Sequence, residues 1–573
     1  MSKKETPVIP FKTLKGYQRE WFSSDLSAGL IVAILLVPQG IAYAFLAGMP
    51  PQAGLYAAML PILAYAILGT SPSLAVGPVA IVSLMTMEAL LPIAAPGTPL
   101  FAQHAAALAL LTGGFLLVFY VIGLGKWTAF ISHSVISGFS SAAAIVIILN
   151  QLKYLTALPI PREGSNHEPL LYIAGHWQQV GLSALSIGLA SILLLKAWPH
   201  MIKRLSKQVS LPDMATEFMA KSGPLAVVVA GILVSVAIIP ENLNLATVGR
   251  IPSGLPDLVL PDFSQLQWQA LLPSAGLIAL IGYLESLSVA TAMAAGDRRK
   301  TLEPNQELLA LGIANSAAAL TQAYPVAGGF GRSMVNLSAG AKTQLASLIT
   351  LIGVSLVVVF ATDWFTELPK TSLGAIIIVA VLPLIKFSDG WHAWKFQRSD
   401  GLVWLATFLT VLATDAEHGI AMGMLISLII YLRRTSEPHI AEVGRYGCSD
   451  HFRNIQRHQV TTCPEVLMIR IDENLYFANS RYLEDFVLQK TRANPAIKHV
   501  ILIGSAINHI DFSGYECLLD IQQQLTEQSI TLHLAEFKGP VMDQLEGTDL
   551  MEQLQPGKVF FTASDALKEL GGL

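Results

Sequence analysis

Charge is what this sequence has least of. Only 13% of its 573 residues are Asp, Glu, Lys or Arg, about half the share of a soluble domain, while 53% are hydrophobic. One water-facing core cannot hide that much apolar surface, so many segments must have lipid as their solvent. A net charge of −4 gives no general basis for nucleic-acid binding. Cysteine is nearly absent: Cys448, Cys463 and Cys517 fall in the last quarter of the chain. They show no metal-ligand spacing and define no disulfide framework, so reduced cytosolic thiols are expected. There is no Walker A pattern for ATP-driven pumping, and no paired His/Cys or carboxylate cluster suggests metal chemistry. An enzyme with a resident cofactor or metal is therefore not expected. A cleavable signal peptide is missing too. Lys3, Lys4, Lys12, Lys15 and Arg19 precede a long apolar run with no small-residue cleavage site, which predicts a cytosolic N-terminal segment over 1–24.

What is present is a succession of apolar segments from 25 to 434. We read about fourteen, near 25–47, 52–69, 77–93, 103–124, 131–152, 178–198, 222–239, 270–295, 306–322, 331–341, 343–362, 372–386, 399–414 and 417–433. With the N-terminus inside, Lys196, Lys203, Arg204, Lys207, Arg298, Arg299, Lys300, Lys386, Lys395, Arg398, Arg433 and Arg434 all fall on the cytoplasmic side. The opposite connections hold few cations, among them Lys153, Arg162 and Arg250. That asymmetry predicts a multi-pass protein of the inner (plasma) membrane with both ends cytoplasmic. From 435 to 573 the pattern changes. "EVLMIRID", "HVILIGS" and "ITLHLAEF" have the look of buried strands. "RYLEDFVLQKT" and "SGYECLLDIQQQLTEQ" between them read as amphipathic helices, predicting a small α/β domain with a partly parallel sheet.

Two places interrupt the membrane pattern alike. Gly77-Pro78-Val79 precedes one apolar run, and Pro325 with the glycines through Gly331 precedes a short helix candidate. Pro and Gly at such starts suit either broken transmembrane helices or ordinary kinks. Broken helices facing each other at the midplane would turn partly positive N–H groups on one spot and make an anion site. Arg332 follows directly; a cation at that depth either attracts the anion or neutralises a carboxylate. Glu285, in "GYLESLSVA", either takes up a proton or cation as the site loads or is a structural partner of Arg332. Gln39, with Tyr43 one turn on, either lines a cavity or joins two helices. Glu88, His133 and the Asp415/Glu417 pair lie near predicted span ends and read as interfacial.

At these residues the chain resembles a known family. "LLVPQGIAYAFLAGMPPQAGLYAAMLPILAYAILGTSPSLAVGPVAIVSL", "GYLESLSVA" and "GRSMVNLSAGAKTQLA" are similar to motifs of the SulP family of sulfate permeases and anion exchangers. The tail, above all "HIDFSGYECL", resembles a STAS domain. The resemblance implies an all-α membrane domain over 25–434, with fourteen segments in two inverted seven-segment repeats that form core and gate domains. A cytosolic STAS domain over 435–573 follows. It implies substrate contacts at Gln39, Tyr43, Val79, Gly329, Phe330, Gly331 and Arg332, and cation coupling at Glu285. Some relatives carry Ser or Thr where this chain has Gly329 and Gly331, so backbone N–H groups would do the coordinating here. Ser513 matches the phosphorylatable serine of anti-sigma antagonists and is otherwise a helix N-cap. A homodimer, and a cytosolic protein partner at the STAS domain, are further implications. The expected function is secondary active transport of sulfate or another small oxyanion, driven by H⁺ or Na⁺ through an elevator-like movement. Na⁺-coupled bicarbonate or H⁺-coupled C4-dicarboxylate transport is the alternative cargo; a membrane anion sensor signalling through the STAS domain is the alternative class.

Overall fold

The computed structural model describes residues 10–14, 16–126, 132–160, 166, 168–209, 216, 219–237, 245–261, 266–294, 302–447 and 449–571. Lys3, Lys4, Lys15, Arg162, Arg298, Arg299, Lys300 and Cys448 lie outside the described residues. The chain divides into two compact units, residues 1–424 and 425–573.

The first unit is helical, and each of the fourteen predicted stretches overlaps helix, the last of them, Ala416–Ser436, running past residue 424. Among the described residues eight helical stretches are long and apolar enough to cross a membrane, Pro99–Val121, His133–Thr156 and Trp268–Ala294 among them, with the interrupted stretches Pro51–Leu68 and Lys370–Phe396 each counted as one. The others are short, and two of these begin at the sequence breaks: Ala80–Leu90 and Phe330–Ser338. Three details differ from expectation. The second stretch is split into Pro51–Tyr56 and Leu60–Leu68. Leu182–Val209 runs well past position 198 and carries Lys196, Lys203, Arg204 and Lys207 on the helix itself. Between the twelfth and thirteenth stretches an extra helix, Phe387–Phe396, replaces an open connection.

The helices pack as two groups. Pro304–Leu320 packs on Pro99–Val121 and Leu60–Leu68, and Trp268–Ala294 also lies on Pro99–Val121, while Phe22–Leu46 packs on Leu345–Phe360. Separately, His133–Thr156 packs on Arg398–Ala413 and Lys370–Val381, and Leu182–Val209 joins Lys370–Val381 and Gly223–Ala237. Buried carboxylates pin the first group. Glu307 accepts from Tyr65 Oη (2.8 Å), Thr70 N (2.7 Å), Ser71 N (3.3 Å) and the Thr70 hydroxyl. Asp25 accepts from Lys342 N (2.7 Å), Thr343 N (3.1 Å) and Thr343 Oγ1 (2.7 Å). Such bonds compensate the cost of burying a polar carboxyl group.

The first unit contains two short strands, β1 (Val76–Gly77) and β2 (Ala327–Gly328). The second unit adds β3 (Ile440–Arg445), β4 (Phe452–Asn454), β5 (Val466–Ile471), β6 (His499–Ile503), β7 (Thr531–Ala535) and β8 (Val559–Phe560). They form one sheet in the order β4-β3-β5-β6-β7-β8, parallel from β5 to β8 and antiparallel around β3. Strand alternation sorts β5 side chains to opposite faces. Leu467, Ile469 and Ile471 meet the helices Ser480–Ala493 and Phe512–Glu527, whereas Val466 and Met468 meet Ala563–Glu569. The three strands and two helices legible in the tail are all present.

Candidate functional site

The two interrupted segments meet. β1 and β2 pair antiparallel, Val76 opposite Gly328 and Gly77 opposite Ala327, and Gly329 N donates to Ala75 O at 3.1 Å. Gly77 sits at φ +153°, a conformation readily open to glycine. Each strand leads straight into a half-helix: Val79 is the N-cap of Ala80–Leu90 and Gly329 that of Phe330–Ser338, neither with a side-chain cap. The first intrahelical bonds are Ser83 N to Val79 O and Ser333 N to Gly329 O. The N–H groups of Ala80 to Val82 and of Phe330 to Arg332 therefore have no intrahelical acceptor, and both positive helix ends gather at one place.

Side chains that sequence reasoning passed over hold this crossing. Ser286 Oγ accepts from Gly328 N (2.8 Å) and donates to Gly282 O (2.6 Å). Ser333 Oγ accepts from Ala75 N at 2.9 Å. Asn315 clasps Val326, donating to its carbonyl (3.0 Å) and accepting from its N–H (2.9 Å). Asn336 and Gln344 donate to the carbonyls of Ser73, Ser71 and Leu74. Small polar residues in apolar helices were the only signal, and the same signal marks ordinary helix contacts.

A cavity of about 430 Å³ opens at the crossing, within the usual range for small-molecule sites. Gln39, Tyr43, Val79, Glu285, Gly329, Phe330, Gly331 and Arg332 all line it, as does Lys221. Arg332 is 3% exposed. Its Nη1 donates to Pro78 O at 2.6 Å, while Nε and Nη2 are buried without a partner among the described residues. Among the described residues Glu285 Oε2 is likewise buried and unpartnered, and no ion pair joins the two side chains. The guanidinium therefore brings a fixed positive charge and spare donors to the same spot as the helix ends, an arrangement that can hold a small anion.

The remaining candidates fall elsewhere. His133 is exposed at the start of His133–Thr156, and Asp415 immediately precedes Ala416–Ser436 and accepts from His418 N at 2.9 Å. Glu88 is half-buried: it lines a separate cavity of about 330 Å³ and accepts from Ala416 N at 3.3 Å. In the second unit the N-cap of Phe512–Glu527 is Asp511, whose Oδ1 accepts from Gly514 N at 2.8 Å. The N-cap reading of Ser513 is thereby corrected. Asp511 reaches the free N–H because it precedes the helix, whereas Ser513 is already helical and half-buried.

Comparison with known proteins completes the description. A family model described as Sulfate permease family matches residues 22–407, and one for the STAS domain matches 457–566. The chain is 34% identical to "Sulfate transporter 4.1, chloroplastic" of Arabidopsis thaliana, over 97% of this chain and 82% of that relative. It is 31% identical to a probable sulfate transporter of Mycobacterium tuberculosis, over 98% and 97%. Among solved structures, the murine solute carrier 26 family member A9 anion transporter in its inward-facing state shares the fold. The TM-score is 0.88 at 23% identity, over 100% of this chain and 96% of that one. The transmembrane domain of the cyanobacterium bicarbonate transporter BicA gives 0.58 at 21% identity, over 72% and 98%.

Proposed function

We propose, from the premise that the chain belongs to the sulfate permease family, that it is a secondary active transporter carrying sulfate or a related small oxyanion with H⁺ or Na⁺. It is a multi-pass membrane protein with a C-terminal STAS domain and not an enzyme. The names of its relatives as sulfate transporters support the cargo. The observation that carries the reading is the lining of the 430 Å³ cavity: two uncapped helix starts and Arg332 with two donors to spare. A tetrahedral oxyanion can accept from several such donors at once. Glu285 on the same cavity wall supports cation coupling, because an unpaired carboxylate at membrane depth gains from a proton or Na⁺. Cytoplasmic placement of both ends, supported by Lys386, Lys395, Arg398, Arg433 and Arg434, belongs to the same proposal, as do a homodimer and a protein partner at the STAS domain.

The test is accumulation of labelled sulfate, bicarbonate and succinate in proteoliposomes, under imposed proton or sodium gradients. Sulfate accumulation against its gradient is expected, with Arg332→Ala weakening affinity about 10- to 100-fold, the scale of a lost charge-assisted bond or two. Accumulation of none of the three, with anion binding intact, would overturn transport in favour of sensing.

A further inference from the structure

The connection between the twelfth and thirteenth stretches holds a structured surface that the transport reading leaves unused. After Lys370–Val381 the chain breaks at Lys386 (φ −123°, ψ 71°) and resumes as the helix Phe387–Phe396, before Arg398–Ala413 begins. One side of this short helix is bolted to the protein. Gly390 is buried, and a Cβ there would stand 2.6 Å from Trp404 Cδ2. Ser137 Oγ donates to Asp389 Oδ2 at 3.0 Å and accepts from Trp404 Nε1 at 3.3 Å. The other side is bare. Trp391 is 59% and Phe396 91% exposed, whereas Phe387 and Trp394, exposed in part, also pack on the protein, Phe387 with its ring 5.7 Å from that of Phe408 and Trp394 against Gly401. Lys386, His392, Lys395 and Arg398 are exposed among these rings, and Lys395 Nζ lies 5.3 Å from the Trp391 centroid. The one carboxylate within the helix, Asp389, is turned inward to Ser137.

The geometry points to a binding surface for anionic phospholipid headgroups on Phe387–Phe396. The helix joins the ends of two apolar helices, so it stands where those helices leave the hydrocarbon. Indole rings prefer that depth, and Lys and Arg beside them meet phosphates. Because the helix is fixed to His133–Thr156 and Arg398–Ala413, the lipid would hold that group of helices in the bilayer. The other group, on which both half-helices pack through Phe22–Leu46 and Trp268–Ala294, would remain free to move.

The test uses the full-length protein in vesicles of pure phosphatidylcholine or phosphatidylcholine mixed with phosphatidylglycerol, with bound lipid read by mass spectrometry after gentle extraction. Wild type should retain phosphatidylglycerol over phosphatidylcholine, and the triple variant Lys386→Gln, Lys395→Gln, Arg398→Gln should lower that preference about ten-fold or more. The preference should also fall with added salt. A melting temperature equal to wild type in pure phosphatidylcholine shows that the variant is folded. If the folded variant keeps the wild-type preference, or wild type has none at low salt, the inference is overturned. It is equally overturned if Trp391→Cys cross-links efficiently between two copies, since the face would then be covered by protein.

Discussion

At the scale of single residues, the site is decided by what is absent from two glycines. A Cβ on Gly329 would stand 3.1 Å from Arg332 Nη2 and 3.2 Å from Val79 Cγ1, whereas one on Gly331 meets nothing within 4 Å. Gly329→Ala should therefore push the guanidinium off its place and weaken sulfate binding, while Gly331→Ala should leave affinity close to wild type. Equilibrium binding to the two purified variants checks the contrast, and equal losses would show that the guanidinium's position does not matter. Glu285 makes a different prediction. Glu285→Gln keeps the shape and the hydrogen-bonding capacity but cannot change charge. Gradient-driven accumulation should vanish in this variant while anion binding persists, and undiminished coupled uptake would remove Glu285 from the coupling role. These residues were legible in the sequence because isolated charges stand out in apolar runs. Lys221 was not, since it lies between two apolar segments and reads as ordinary punctuation there, yet it lines the same cavity.

At the scale of elements, the site depends on keeping β1 against β2, and two paired residues per strand cannot do this alone. The loop before β2 is held by Asn315. Replacing it with Leu would leave the Val326 N–H and carbonyl buried without partners, at a cost of about 1–3 kcal/mol for each group. Asn315→Leu should lower the melting temperature in detergent and weaken anion binding together, because the start of Phe330–Ser338 loses its support. A variant that melts and binds like wild type would show that the crossing is held elsewhere. The sequence marked both breaks through Pro and Gly, and its third and tenth stretches start within three residues of Ala80 and Phe330. That they pair was an inference from their placement in two halves of the chain. The polar clasps were illegible, because Ser, Asn and Gln in an apolar helix look the same whether they join two helices or seat a loop. The helix Phe387–Phe396 was missed for another reason: its aromatic and basic residues alternate too closely for an apolar stripe to emerge.

At the scale of the whole molecule, the change in pattern near residue 435 announced a second kind of fold, and the continuous apolar runs of β5 to β7, buried along nearly their whole length, made their strands readable. The strands β3 and β4 at one side of the sheet and β8 at the opposite edge were not, being short or half-exposed. At that edge a histidine pair makes the second unit sensitive to acid. His533, 3% exposed on β7, accepts from Lys558 N at 3.1 Å through Nδ1. Its proton is thus assigned to Nε2, which faces His499 Nδ1 at 3.2 Å. Burial first, and His499 second, hold its pKa down from 6.5 to about 4. The unfolded chain therefore binds more protons than the folded one between those values, so stability is complete above pH 6.5 and drains away as pH falls toward 4. The second proton has only Nδ1 to occupy, where it opposes the Lys558 N–H and frees β8 from β7. Hydrogen exchange on the full-length protein should show protection of 531–560 falling between pH 7 and pH 5, after correction for intrinsic rates. His533→Gln, which can still accept from Lys558 but cannot titrate, should flatten that dependence. If the variant loses protection as steeply as wild type, the acid response belongs to another group, and this pair is only part of the packing.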